Sequence, residues 1–211
     1  MRVRISIGRR GVTASVIMAF CLLSHAAVAD PAALVTAFDH QARQMLKNAE
    51  LSPADRQQRF HALVDEDFDF PTIVRYVLGR NWQTTPDDVR QEFARVFEDY
   101  VIEGNADRIN AYNGPIAAAT TVRTEGENIT IVATSFSHDD GDPPTLIEWR
   151  VITTPNGLKI TDIIVSGVSM ALSYREQIAT AIQRSGGQVA ALIPALRGKL
   201  AVTSADAAPA K

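Results

Sequence analysis

The chain is poor in the residues that most often carry chemistry: its 211 residues include one cysteine, four histidines and two tryptophans. Cys21 and His25 fall in an N-terminal stretch that reads as a removable signal, so the remainder has neither disulfide nor thiol and must be held by its core. His40, His61 and His138 are left, none at a metal-ligand spacing from another His or Cys, which argues against a zinc site. His40 and His61 sit among polar neighbours on helical patterns and read as surface residues. His138-Asp139-Asp140-Gly141-Asp142 lacks the spaced ligands and closing Glu of a calcium loop and reads as a hairpin turn. No glycine cluster stands between a strand and a helix start, so no phosphate loop, dinucleotide fingerprint or cofactor is expected. Gly167-Val168-Ser169-Met170-Ala171 misses the last glycine of a nucleophile elbow and lacks the parallel-strand context that elbow needs. No catalytic residue is expected.

Long apolar runs are also absent beyond the N-terminus. Arg2, Arg4, Arg9 and Arg10 precede an uncharged run from about Val12 to Leu23, and Ala27-Val28-Ala29 offers an A-x-A site before Asp30. The run is shorter than the roughly 18 residues a spanning helix needs, so residues 1–29 read as a cleavable secretory signal, with an uncleaved anchor as the alternative. Without them the chain has 17 basic and 24 acidic residues, a formal net charge of −7. An acidic surface without cationic clusters argues against nucleic acid and against lasting adsorption to anionic lipid. Residues 30–200 are enough for one domain, and the Ala-rich segment 201–211 reads as a disordered tail.

The first half of that domain is helical in pattern. Leu34, Phe38, Ala42 and Met45 form one stripe, and Ser52-Pro53-Ala54-Asp55 is a capped start ahead of Phe60, Leu63 and Val64. Pro71 opens a short apolar helix with Ile73, Val74, Val77 and Leu78 that Gly79 closes. Thr85-Pro86-Asp87-Asp88 starts the longest helix, striped with Val89, Phe93, Val96, Phe97, Tyr100 and Val101 and stopped at Asn113-Gly114. Four β-branched runs follow, near Ala117–Arg123, Ile129–Ser137, Leu146–Thr153 and Leu158–Val165, separated by the turn segments 125–127, 139–144 and Pro155-Asn156-Gly157. Short connections predict an antiparallel meander. In the third run Ile147, Trp149 and Val151 share a dry face while Glu148 and Arg150 point to a wet one. Helices at Tyr174–Arg184 and from Val189 through Leu200 close the fold.

The acidic run Asp65, Glu66, Asp67, Asp69 reads as solvated or capping rather than as an acid/base pair. The apolar helix stripe and the dry sheet face admit two readings, a filled core and a ligand cavity, and aromatic stripes at helical spacing favour the core.

Three strings in register behind the signal alter that balance: Phe68-Asp69-Phe70 leading to Val77-Leu78-Gly79 and Trp82, the helix from Phe93 to Tyr112, and Gly167-Val168-Ser169-Met170 followed by Tyr174-Arg175. In order and spacing the chain resembles the MlaC-type periplasmic phospholipid-binding family, also described as toluene-tolerance auxiliary proteins, whose transport system bears on outer-membrane lipid asymmetry. The resemblance implies an α+β fold in which N-terminal helices pack over a curved antiparallel sheet of about four strands, with C-terminal helices, enclosing an apolar pocket for acyl chains. The dry faces offer as candidate lining residues Val74, Leu78, Phe93, Phe97, Tyr100 and Val101 from helices, with Trp149, Val151, Ile163, Val165 and Met170 from the sheet and its end. The expected partners are one phospholipid, or a hopanoid in a related branch, an inner-membrane ABC-type lipid transport complex and an outer-membrane lipoprotein complex. Two other classes stay open: an envelope enzyme, for which Asp162 is the best acid/base candidate, and a structural adaptor with a filled core.

Overall fold

A computed structural model describes residues 30–48, 50–111, 121–136 and 143–206. The signal segment, Asn113-Gly114, the start of the first predicted strand, the turn bearing His138 and residues 207–211 lie outside them.

Helix α1 spans Pro31–Lys47 and α2 Pro53–Asp67, each with an acid or hydroxyl cap and a proline in the first turn. The caps are Asp30, whose carboxylate accepts the Ala32 N–H at 2.9 Å, and Ser52, whose hydroxyl accepts the Asp55 N–H at 3.1 Å. The α1 stripe is rotated slightly from the expected one: Val35, Phe38 and Ala42 are buried, while Leu34 and Met45 are half-buried at its edges. Asp69 caps α3 (Phe70–Leu78) by accepting from the Thr72 N–H at 3.0 Å and the Thr72 hydroxyl at 2.8 Å, as the capping reading of the acidic run required. A 3-10 turn, Gly79–Asn81, leads toward α4, Asp87–Ala111, the longest helix at 25 residues.

The sheet is a meander, β1 (Thr121–Thr124), β2 (Ile129–Phe136), β3 (Thr145–Thr154), β4 (Gly157–Val165) and β5 (Val168–Ser169), every neighbour antiparallel. The expected four strands become five because Ser166-Gly167, at φ +49° and +82°, closes a two-residue hairpin that a two-residue strand was too short to announce by periodicity. Thr161 is an extra residue in β4, placed between the pairs Val151–Ile160 and Arg150–Asp162, and such a bulge bends its strand. The outer edge of β4 is covered at Ile160, whose carbonyl accepts the Asp69 N–H at 2.9 Å beside a parallel bridge to Phe68.

Helix α5, Met170–Arg184, begins four residues earlier than the sequence pattern indicated, because Ser169 caps it. Helix α6, Val189–Asp206, runs six residues past Leu200, where the sequence reading ended the folded part. α1 packs on α2, α3 on α5 and α4 on α6, and one continuous apolar core joins these helices to the dry face of β2–β4. The wet face carries Glu148 and Arg150 as expected, paired with Arg123 at 3.2 Å and Glu125 at 2.7 Å, but also Ile131, only 1% exposed between Arg123 and Arg150 in the register. Among the described residues no helix is long and apolar enough to cross a membrane.

Candidate functional site

Strand pairing arranges the dry face in rows. Val122, Val132, Trp149 and Ile163 stand opposite one another across β1–β4, and Thr134, Ile147, Val165 and Val168 form a second row across β2–β5. Trp149 is the largest side chain on this face and its one polar atom is internally satisfied: Nε1 donates to the Thr134 hydroxyl at 3.0 Å, which donates on to the Ile147 carbonyl at 3.3 Å. Its ring meets Phe38 of α1 at 5.8 Å, and Phe38 meets Phe68 at 5.2 Å and Phe60 at 6.5 Å. A second aromatic group lies between α4 and α5, where Phe93 stacks on Phe97 at 5.4 Å and Tyr174 sits edge-on to Phe97 and Tyr100 at 5.5 and 6.2 Å.

Of the eleven lining residues expected, Val74, Leu78, Phe93, Phe97, Trp149 and Val151 are buried in the common apolar cluster. Tyr100, Val101 and Ile163 pack against it half-buried. Val165 and Met170 stand outside the cluster, half-exposed, where β4 hands over to β5 and α5. The expectation omitted Phe38, Phe60, Phe68 and Tyr174, which hold the aromatic groups together. Phe38 belonged to a visible helix stripe, but nothing local in the chain says that this stripe faces Trp149.

Two of the polar candidates, Asp162 and Ser169, hold the start of α5. Asp162, buried, accepts the Ser169 hydroxyl at 2.6 Å and the Ala171 N–H at 2.9 Å, so both oxygens serve the start of α5. Ser169, in the near-miss elbow, caps α5 by accepting the Leu172 N–H at 3.0 Å and lies after a hairpin turn rather than on a strained strand–helix turn. His40 is exposed, and His61 is half-buried with Nε2 3.9 Å from Asp99. Among the described residues no three His, Cys, Asp or Glu side chains gather into a metal site.

The acidic run departs from its solvated reading at Asp67, while Asp65 stays exposed beside a half-buried acid of α4. Asp67 is buried with Oδ2 unpartnered, and burial first, then the charge of Glu66, push its carboxyl above the usual range against the pull of Lys159. Asp65 meets Glu98 of α4, whose carboxyl is pushed up to about 8 by burial first, then by its hydrogen bond to Asp65 and the charges of Asp65 and Asp99. With Gln57 donating to Glu103 at 2.8 Å and His61 near Asp99, the seam between α2 and α4 is polar. It lies apart from the apolar rows.

A profile of the MlaC protein family matches residues 37–198. No curated relative matches the chain. Among solved structures, the phospholipid-binding protein from Ralstonia solanacearum, in complex with a phospholipid, is 24% identical with a TM-score of 0.71, over 83% of this chain and 99% of that one. Its likeness establishes the shared α+β fold, helices against an open antiparallel sheet. The family match spans both aromatic groups, the sheet and the α5 cap, and on that ground the chain belongs to the MlaC protein family.

Proposed function

We propose that the protein is a periplasmic lipid carrier that holds phospholipid acyl chains between its helices and the dry sheet face. In this reading it is the soluble component of an ABC-type lipid transport system, moving lipid between the outer and inner membranes. The observation that carries the reading is the joint apolar interior, in which the one tryptophan on the sheet face has its N–H satisfied internally, so an acyl chain meets no unpaired donor there. Two facts support it: the family membership, and a phospholipid bound to the Ralstonia solanacearum protein of the same fold. The Arg-rich, apolar N-terminal segment supports delivery to the periplasm. The enzyme reading loses its best candidate, because both oxygens of Asp162 are engaged by Ser169 and Ala171.

The carrier has a physical requirement. Exposing an acyl chain of about 15 methylenes to water costs roughly 12 kcal/mol at about 0.8 per CH₂. That is about eight or nine powers of ten in equilibrium, so release should need docking that joins the interior to an apolar path. Native mass spectrometry and lipid extraction of protein purified from the periplasm test the proposal. Phospholipid at one molecule per chain is the expected result, a hopanoid would change the cargo within the same family, and a lipid-free protein would remove the carrier reading.

A further inference from the structure

The surface where α3, β5 and α5 meet is unlike the rest of the molecule. Five large hydrophobic side chains stand exposed among the described residues, and three of them lie here: Tyr76 at 41%, Val168 at 58% and Leu172 at 45%. Val168 immediately precedes the Ser169 cap, and Leu172 sits on the first turn of α5, three residues before Arg175. The Arg175 guanidinium lies 4.9 Å over the Tyr76 ring and close above Gly79, whose neighbour is Arg80. Apolar tips and arginines are thus interleaved on one face.

Three arginines without a carboxylate partner also gather on this face. Arg43, Arg90, Arg123, Arg150 and Arg197 each pair with a carboxylate, and of the arginines that make no ion pair among the described residues, Arg75, Arg80 and Arg175 belong to this face, while Arg56, Arg59, Arg95 and Arg184 stand on α2, α4 and the end of α5. Arg75 and Arg80 are exposed, and Glu176 is an exposed acid beside Arg175 on α5. In a chain with an excess of acidic residues, this is a local concentration of uncompensated positive charge.

The face is continuous with the apolar interior. Val168 ends the row that starts at Thr134 and passes through Ile147 and Val165, so this sheet row runs from buried to exposed at β5. Met170 and Val165, outside the core cluster, occupy the step between the two.

We propose that this α3–β5–α5 face docks on the interface of a bilayer containing anionic phospholipid. Val168 and Leu172, next to a hairpin tip, enter the headgroup boundary, Tyr76 sits at its level, and Arg75, Arg80 and Arg175 meet lipid phosphates. The interleaving favours a lipid interface over an acidic protein surface, since single aliphatic tips flanked by long cations suit a fluid boundary better than a fixed one. This inference goes beyond the carrier reading and rests on surface residues alone. It runs against the expectation from net charge that the chain avoids anionic lipid, because it rests on charge gathered locally and not on the total.

Co-sedimentation of the signal-free protein with vesicles tests it, using phosphatidylcholine mixed with phosphatidylglycerol against pure phosphatidylcholine. Binding to the anionic vesicles, weakened by salt, is expected, with about a five-fold loss per charge removed at Arg75 and Arg80. Arg75→Glu with Arg80→Glu, and separately Leu172→Asp, should abolish it, while Arg59→Glu, an exposed arginine on α2, should leave it near wild type. Circular dichroism of each variant establishes that it is folded. Wild-type protein that stays in the supernatant with anionic vesicles overturns the proposal, whatever protein partner it binds. An equal loss from Arg59→Glu overturns it too, because binding would then follow total charge and not this face. Lipid co-purification reads the interior and not this surface, so the two proposals fail separately.

Discussion

Asp162 Oδ1 accepts the backbone N–H of Ala171 at 2.9 Å across the β4–β5 hairpin, tying the bulged strand to the first turn of α5. Its other oxygen holds the Ser169 hydroxyl, which in turn caps the same turn. A buried carboxylate serving a helix N-terminus is stabilised by the N–H groups and the dipole it faces. Asp162→Ala leaves the Ala171 N–H unpaired at a buried position and should cost about 2–3 kcal/mol, with Asp162→Asn costing about 1, because the amide oxygen keeps that bond. Urea denaturation of the three proteins measures this, and equal midpoints for wild type and Asp162→Ala would refute the tie. In the carrier reading, lipid content per folded molecule should not change in Asp162→Asn.

Glu98 links stability to pH. Its carboxyl, ordinarily near 4.5, stays protonated in the fold up to about 8. Between those values the folded state binds more protons than the unfolded one, so the stability Glu98 contributes is full below about 4.5 and is lost as pH rises through about 8. The groups around it on the same seam are Asp65 and His61 of α2 and Asp99 of α4. Glu98→Gln fixes a neutral side chain, so its stability relative to wild type should rise with pH over that window. The gain is on the order of 1–2 kcal/mol once solvent screening and the shared proton with Asp65 are counted. Chemical denaturation at about pH 5, 7 and 9 reads the difference near the bottom of the window, inside it and above it. A constant gap would mean that Glu98 is ionised in the fold at neutral pH.

Gly79 leaves room for the Arg175 guanidinium of α5 to lie against the end of α3. It adopts φ +52°, and a Cβ there would come within 3.0 Å of Arg175 Nη2 and 3.2 Å of its Cζ. Arg175 holds the end of α3 by donating to the Tyr76 carbonyl at 3.3 Å. Gly79→Ala should therefore cost about 1–2 kcal/mol for the backbone alone and more for displacing the guanidinium. The cause is separable by a double-mutant cycle: in an Arg175→Ala background the penalty should shrink toward the backbone cost. Additive penalties would show that the crowding of Arg175 is unimportant.

These positions mark where the sequence was legible. The caps at Ser52, Asp69 and the Pro155-Asn156 turn depend on neighbours within a few residues, and they appeared where the pattern put them. The alternation of Ile147, Trp149 and Val151 against Glu148 and Arg150 likewise fixed which sheet face is dry. Strand β5, the Thr161 bulge and the burial of Asp67 and Glu98 were not legible, because each depends on what another segment brings alongside. The same holds within the candidate site. Phe93 and Phe97 share a stripe and were expected together, whereas Phe38, Phe68 and Trp149 come from α1, the α2–α3 junction and β3 and meet only in the folded chain.

Trp149 offers a direct reading of where the cargo lies. The chain has two tryptophans, and Trp82 is half-buried under the Arg90 guanidinium at 4.7 Å, near the start of α4. In a Trp82→Phe variant the remaining emission comes from Trp149, in the middle of the dry row between Val132 and Ile163. Bromine quenches an indole only at near contact, so loading with phospholipid brominated on its acyl chains should strongly reduce that emission, while unbrominated lipid should not. Phe38→Leu, which loosens the ring contact at 5.8 Å, should cost about 1–2 kcal/mol of stability yet retain the quenching. If brominated lipid co-purifies with the variant and Trp149 emission is unchanged, the acyl chains lie elsewhere, and the α4–α5 group around Phe97 and Tyr174 becomes the place to probe next.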